Sequence, residues 1–348
     1  MSKRSSAFSL RGSGSLRGKK VMVVGGAGFI GSHLCEAVLE EAPEKLVVVD
    51  NLFLGTLENL KDVLGDPRAD FVRANANQYL ELKEAWAWDK SFDVCFNLAV
   101  CPLGHSLEAP EHNVINNISI ITNLCEYQKA GAIDRLIQFS SSEAYGSKAR
   151  EVPMDEKHPL GPSTPYAASK AAGDLVALSY AATFGLNTAV LRPFNAYGER
   201  QNAGSYAGII PLTIKRVLEG RELVIYGDGA QTRDYTYVRD VAEAACQMFR
   251  CFNAVKGKVV NMGSGRETAV IVLVMLINQL MEEMGFEQMK IRRDPARPGD
   301  VRRHIANIYL AEDLLGYDPS LATPLTRGLK DTVRWYVDKY GAKPKRRK

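Results

Sequence analysis

The sequence predicts an α/β protein: a doubly wound parallel sheet of Rossmann type with a smaller C-terminal α/β lobe. Three observations carry that expectation. Short β-branched runs alternate with helix-like stretches from Lys20 to Phe194, a glycine-rich turn joins the first run to the first helix, and the alternation loosens after Phe194. Strand-helix repetition of this kind covers both faces of a parallel sheet with helices.

The runs VMVVGG (21–26), KLVVVD (45–50), DFVRA (70–74), FDVCFNLA (92–99), RLIQFSSS (135–142) and NTAVLRPF (187–194) are apolar enough to be strands buried on both faces. Helices are expected between them over 29–41, 79–89, 111–130 and 165–184. Gly- and Pro-containing loops follow, then a helix near 207–219 and the segment GDGAQTRDYTYVRDV. The resulting division is a flexible basic leader at 1–18, a dinucleotide-binding domain at 19–193 to which 236–264 return, a second lobe from 194–235 and 265–341, and a basic tail at 342–348.

Composition excludes several classes. With 348 residues, 46% of them apolar, 24% charged and a net charge of +4, the chain reads as an ordinary soluble protein of one large domain or two. The longest apolar run, AVIVLVMLINQLM (269–281), is too short to cross a bilayer comfortably and reads as a buried helix, so no membrane span is expected. Six cysteines without a C-x-x-C pair fit a reducing cytoplasm, and the basic first twenty residues lack the apolar core of a signal peptide. The basic ends read as solvated tails, and the charge-balanced body offers no face for nucleic acid. The five histidines show no metal-ligand spacing, and no metal is expected.

The first strand runs into Gly25-Gly26-Ala27-Gly28-Phe29-Ile30-Gly31 and then a helix. Glycines there permit a tight turn and bring backbone N–H groups and a helix N-terminus against a pyrophosphate. Asp50, at the end of the second strand and followed by Asn51, is placed to hold an adenosine ribose. Its charge would repel a 2′-phosphate, and no Lys or Arg follows until Lys61, so the cofactor is expected to be NAD rather than NADP.

PYAASKAAGDL (165–175) carries Tyr166 and Lys170 at i and i+4, on one helix face. A phenol with a pKa near 10 that serves as a base around neutrality must be stabilised as phenolate by about 4 kcal/mol. The Lys170 ammonium and an oxidised nicotinamide are the expected sources of that charge. Ser141, at the end of the fifth strand, would then hydrogen-bond the substrate hydroxyl that Tyr166 deprotonates.

Taken together, GGAGFIG, FSSSEAYG, YAASK, RPFNAYG and GDGAQTRDYTYVRD make residues 20–340 resemble the extended short-chain dehydrogenase/reductase family, in particular its nucleotide-sugar epimerases and dehydratases. The resemblance implies that Lys170 holds both Tyr166 and the nicotinamide ribose. It also implies cofactor contacts from Leu98, Ala99, Asn117 and Pro193, beside the turn residues Gly25, Gly28, Phe29, Ile30 and Gly31. For a nucleotide-diphosphate sugar it implies that Asn195, Arg233 and Arg297 meet the pyrophosphate, Asp300 the nucleotide ribose and Tyr226 the base. Relatives commonly dimerise through two helices, here those at 111–130 and 165–184. Asn75, Asn97 and Glu199 depart from residues frequent in the family, and Cys101 reads as a buried structural thiol.

Glu143, two residues after Ser141, is expected on the same side of an extended strand. Oxidation at C4 of a sugar acidifies C5–H, and a carboxylate close to C5 can remove that proton so that the C6 hydroxyl leaves as water. The family's dehydratases resemble this chain in carrying Glu there, whereas its 4-epimerases tend to have a small neutral residue. Ser142, however, stands where dTDP-glucose dehydratases usually present Asp. The expected activity is therefore NAD-dependent 4,6-dehydration, with 4-epimerisation, decarboxylation of a UDP-glucuronate, and a non-catalytic NAD-binding sensor as alternatives.

Overall fold

The structure, a computed structural model, describes residues 6–9, 12, 14–86, 91–146, 153–295 and 302–341. Its N-terminal part runs β1 (Lys20–Val24), α1 (Phe29–Glu40), β2 (Lys45–Asp50), β3 (Ala69–Arg73), α2 (Tyr79–Trp86), β4 (Phe92–Asn97), α3 (Leu103–Glu108), α4 (Pro110–Lys129), β5 (Ile133–Phe139), α5 (Pro165–Phe184) and β6 (Asn187–Pro193). There follow β7 (Ala196–Tyr197), α6 (Ile209–Leu218), β8 (Leu223–Tyr226), β9 (Thr232–Arg233), β10 (Thr236–Tyr237), α7 (Val238–Arg250), α8 (Phe252–Val255) and β11 (Val259–Met262). The chain closes with β12 (Thr268–Ala269), α9 (Val270–Glu283), β13 (Ile291–Asp294), β14 (Arg303–His304) and α10 (Leu325–Tyr340).

Seven strands form one sheet in the order β11-β6-β5-β4-β1-β2-β3, every pair parallel. Alternation along β1 sorts its side chains to two cores. Val21 and Val23 pack with Val241 and Ala245 of α7 on one face, and Met22 and Val24 with Ile121 and Leu124 of α4 on the other. Both faces are therefore apolar, which is why these strands read as unbroken hydrophobic runs. The order reverses between β1 and β4, and such a switch opens a crevice at the carboxyl ends of the strands.

α5 is punctuated at both ends. Thr164 Oγ1 accepts from Ala167 N at 3.1 Å, Pro165 occupies the first turn, and Gly185 ends the helix in the left-handed region at φ 69°. The start fixed by Thr164 sets the first-turn position of Tyr166. From Val270 the run at 269–281 forms helix α9, packed in a C-terminal core with Ile214, Leu223 and Leu329. No helix among the described residues is long and apolar enough to cross a membrane.

The leader departs from the flexible segment expected. Ala7, Phe8 and Leu16 are buried, Phe8 pairs with Tyr317 in an antiparallel bridge with ring centroids 5.2 Å apart, and Asp318 N donates to Ala7 O at 2.7 Å. The charged residues around them give a solvated reading, but three apolar side chains suffice to fasten the segment. A second departure lies after β5. RLIQFSSS leaves the sheet at Phe139, and Ser142–Tyr145 form a 3-10 turn that Ser141 caps by accepting from Glu143 N at 3.2 Å. The extended-strand placement of Glu143 is thereby corrected.

Candidate active site

A cavity of about 420 Å³ lies at the switch point. Gly25, Gly28, Phe29, Ile30 and Gly31 line its floor, and Asp50 and Asn51 line one end. Leu98, Ala99 and Pro193, from the ends of β4 and β6, line the wall. Gly25 has φ 82°, and a Cβ there would lie 2.5 Å from Ala99 N; at Gly31 a Cβ would lie 2.2 Å from Gly25 O. Any side chain would push the turn out of shape. No side chain caps α1 at Gly28, so the dipole of the helix faces the cavity. Asp50 is 8% exposed, with Oδ2 accepting from Ala27 N at 3.0 Å and Oδ1 from Leu52 N at 2.8 Å. Burial pushes its carboxyl up, and the two N–H groups oppose that shift. A glycine cradle under a helix N-terminus, with a fixed carboxylate at one end, fits a dinucleotide.

Asn117 takes a different place from the one expected. Its Oδ1 accepts from Cys101 N at 2.8 Å and its Nδ2 donates to Ser169 Oγ at 2.9 Å, so it links the β4 end to α5, while Asn116 lines the cavity. Asn97 likewise serves the scaffold: its Nδ2 donates to Gln138 Oε1 at 2.6 Å.

Tyr166 and Lys170 both face the cavity. Ser141 hydrogen-bonds the Tyr166 phenol, and the charge of Glu143 acts on it, so the three side chains converge. The expected depression of the phenol is reversed: burial pushes Tyr166 up to about 12, with Ser141 opposing and Glu143 adding to the rise. Lys170 is buried, its Nζ donates to Phe139 O at 2.8 Å, and burial pushes it down to about 8. Desolvation outweighs the charge pairing that the sequence suggested.

A buried network underlies these groups. Asp174 Oδ2 accepts from Ser140 Oγ at 2.5 Å and from Arg192 Nη2 at 2.6 Å. The Arg192 guanidinium stacks 4.5 Å over the Tyr145 ring, and the Tyr145 hydroxyl donates to Asn261 Oδ1 at 2.8 Å. Sequence reasoning missed Asp174 and Arg192, although Asp174 lies four residues beyond Lys170 on one helix face.

On the side of the C-terminal lobe, His304 Nε2 donates to Ser142 O at 3.2 Å, which leaves Nδ1 to accept from Asn195 Nδ2 at 3.5 Å. Burial, reinforced by Arg233, pushes His304 down to about 4. Asn195 and Arg233 therefore gather around His304 beside the Ser142–Tyr145 turn. Tyr226 ends β8, paired with Asp294 of β13, and its carbonyl accepts from Gln231 Nε2 at 3.1 Å. Arg297 and Asp300 lie outside the described residues. The structure also brings one ligand atom each of Cys101, His105 and His112 within 4.8 Å of one another, a grouping the sequence reading did not anticipate. The helix α3 that carries His105 was not foreseen either.

Comparison with known proteins gives concordant results. The model of the NAD dependent epimerase/dehydratase family matches residues 21–263. A Methanocaldococcus jannaschii protein named, provisionally, as a UDP-glucose 4-epimerase is 34% identical, covering 90% of this chain and 97% of its own. A dTDP-glucose 4,6-dehydratase from an Actinoplanes species is 32% identical, covering 91% and 97%. The crystal structure of a dTDP-glucose 4,6-dehydratase from Streptomyces venezuelae with NAD bound superposes with a TM-score of 0.84 at 29% identity, covering 92% and 98%.

Proposed function

The chain belongs to the NAD dependent epimerase/dehydratase family, and on that premise we propose that it is a nucleotide-sugar 4,6-dehydratase. The observation that carries this reading is the half-buried Glu143 carboxylate, whose charge reaches the Tyr166 phenol. A simple epimerase, which only returns hydride to the opposite face of C4, has no task for such a group.

NAD is the family's cofactor; Gly25 to Gly31 and Asp50 would hold it, and when bound its oxidised nicotinamide supplies a hydride acceptor and a positive charge. Burial holds the Tyr166 phenol protonated, so it would accept the proton of the C4 hydroxyl only once the positive charge of a bound oxidised nicotinamide favours phenolate, with Ser141 hydrogen-bonding the same oxygen. Lys170, cationic below about pH 8, contributes positive charge near the base. With C4 at the ketone level, Glu143 would take the acidified C5 proton and pass it to the C6 hydroxyl, which would depart as water. The hydride removed from C4 would return to C6, leaving no net oxidation. Asn195 and Arg233, with Arg297, Asp300 and Tyr226, are assigned to the nucleotide diphosphate. Exposed Ile115 on α4 and Leu175 on α5 support association of two copies through that helix pair.

One observation favours 4-epimerisation instead. Ser142 is buried with its carbonyl engaged by His304, so no second carboxyl stands at that position to protonate a departing hydroxyl. Incubation with UDP-GlcNAc, UDP-glucose, dTDP-glucose and GDP-mannose separates the readings. Dehydration gives, from one of them, a product lighter by one water; a product of unchanged mass with inverted C4 overturns it in favour of epimerisation.

A further inference from the structure

Cys101 lies between the end of β4 and α3, His105 within α3, and His112 in the first turn of α4. The chain breaks direction at Ala109 (φ −136°, ψ 71°), immediately before Pro110, and this bend folds the two helices against each other. We propose that Cys101, His105 and His112 form a site for a borderline divalent cation of the zinc class, bordering the cavity that Cys101 helps to line.

The donor set is the first argument. One thiolate and two imidazoles suit zinc, cobalt(II) or copper rather than magnesium or calcium, and three protein ligands leave a fourth tetrahedral position for a ligand from solution. All three ligand atoms already lie within 4.8 Å of one another.

Preorganisation is the second. Cys101 is held on three sides by α4: Asn117 Oδ1 accepts from its N–H at 2.8 Å, Asn113 Nδ2 donates to its carbonyl at 3.0 Å, and Asn116 Nδ2 donates to its Sγ at 3.2 Å. A side-chain N–H on the sulfur stabilises thiolate, as outer-shell partners of metal ligands do.

An unsatisfied atom is the third. Nδ1 of His105 is buried and has no hydrogen-bond partner among the described residues. The ring packs edge-on against Phe53 and His112, with centroids 5.5 and 5.2 Å away. Aromatic packing accounts for the position of the ring but not for an unpaired buried nitrogen, which a cation would satisfy. His112 is exposed and provides the route in from solvent. On binding, the Cys101 S–H bond breaks, its electron pair becomes the sulfur–metal bond and the proton passes to solvent, so affinity rises with pH.

The experiment is a cobalt(II) titration of the full-length protein after dialysis against chelator, at neutral pH, with and without saturating NAD. The expected result is a near-ultraviolet thiolate-to-cobalt charge-transfer band with visible bands of a four-coordinate ion, saturating at one equivalent and displaced by zinc. Cys101→Ser removes the charge-transfer band, His105→Ala and His112→Ala each raise Kd at least about tenfold, and Asn116→Ala raises it about ten- to a hundredfold. His112 is exposed, so the fold of its variant is secured by unchanged circular dichroism and NAD binding. Absence of the charge-transfer band in the wild-type protein, or bands unaltered in the His112 variant, overturns the proposal.

Discussion

Ser140 and Asp174 are joined by a 2.5 Å hydrogen bond that ties the end of β5 to α5 directly beneath Lys170. Arg192 completes this buried junction from β6 at 2.6 Å. The pair joins the end of β5, next to Ser141, to α5, which carries both Tyr166 and Lys170, so its loss is felt by all three residues.

Asp174→Asn is expected to leave the Arg192 guanidinium without a counter-ion in a site where both partners are 2% exposed. Removing one member of such a pair costs about 3–5 kcal/mol. Urea unfolding reads the loss directly, and the double variant Asp174→Asn, Arg192→Met should recover part of it because the stranded charge is gone.

Glu143→Gln keeps the size of the side chain and removes the base. Dehydration is expected to fall about 10²–10⁴-fold, while reduction of NAD by the substrate, followed at 340 nm as NADH absorbance on the order of a single turnover, persists. Normal turnover in this variant would remove Glu143 from the mechanism.

Asp50→Ala deletes the acceptor of the Ala27 and Leu52 N–H groups as well as the ribose contact. Charge-assisted hydrogen bonds contribute about 1.5–3 kcal/mol, so NAD affinity should fall about ten- to a hundredfold, with NADP disfavoured less than in the parent. Isothermal titration with both dinucleotides checks this.

Two buried histidines make stability depend on acid. His33 is pushed down to about 3, chiefly by burial and then by Arg200, and His304 to about 4, chiefly by burial and then by Arg233. Their folded pKa values lie below the unfolded 6.5, so the unfolded chain binds the extra protons. Each therefore adds no penalty above about pH 6.5 and subtracts up to about 1.4 kcal/mol per pH unit below it, until its folded pKa is reached. In His33→Gln, whose amide can still donate to Glu199 O as the ring does at 3.1 Å, stability between pH 6.5 and 4.5 should fall less steeply than in the parent. Denaturation at several pH values measures the difference in slope.

Leu16→Ala tests the fastening of the leader. A fully buried leucine lost from a packed site costs about 2–5 kcal/mol. Thermal unfolding of the variant should show that loss, whereas a solvated leader would give none.

The sheet was legible because its strands are buried on both faces: β1 to β6 announce themselves as β-branched runs, and the turn at Gly25–Gly31 and the caps of α5 mark where helices begin. Boundaries set by side-chain capping were less so. FSSSE continues an apolar run in sequence, yet Ser141 turns the chain into a 3-10 turn by accepting from the Glu143 N–H. α3 escaped notice because LGHSLE is six residues between two prolines, without a full period of apolar positions. Tyr166, Lys170 and Asp50 stand out by local spacing, and all three line the cavity. His304 does not stand out, since it comes from a two-residue strand and meets Ser142 across 162 positions of chain. The burial that raises the Tyr166 phenol is not legible in sequence, because desolvation is a property of the finished fold.

The bond from His304 to the Ser142 carbonyl would serve as a latch between the C-terminal segment and the loop that bears Ser141 and Glu143. A tilt of the C-terminal lobe wide enough to open that latch would release the same loop. Docking of a substrate that pulls the lobe shut and alignment of the groups that react with it would then be a single mechanical event.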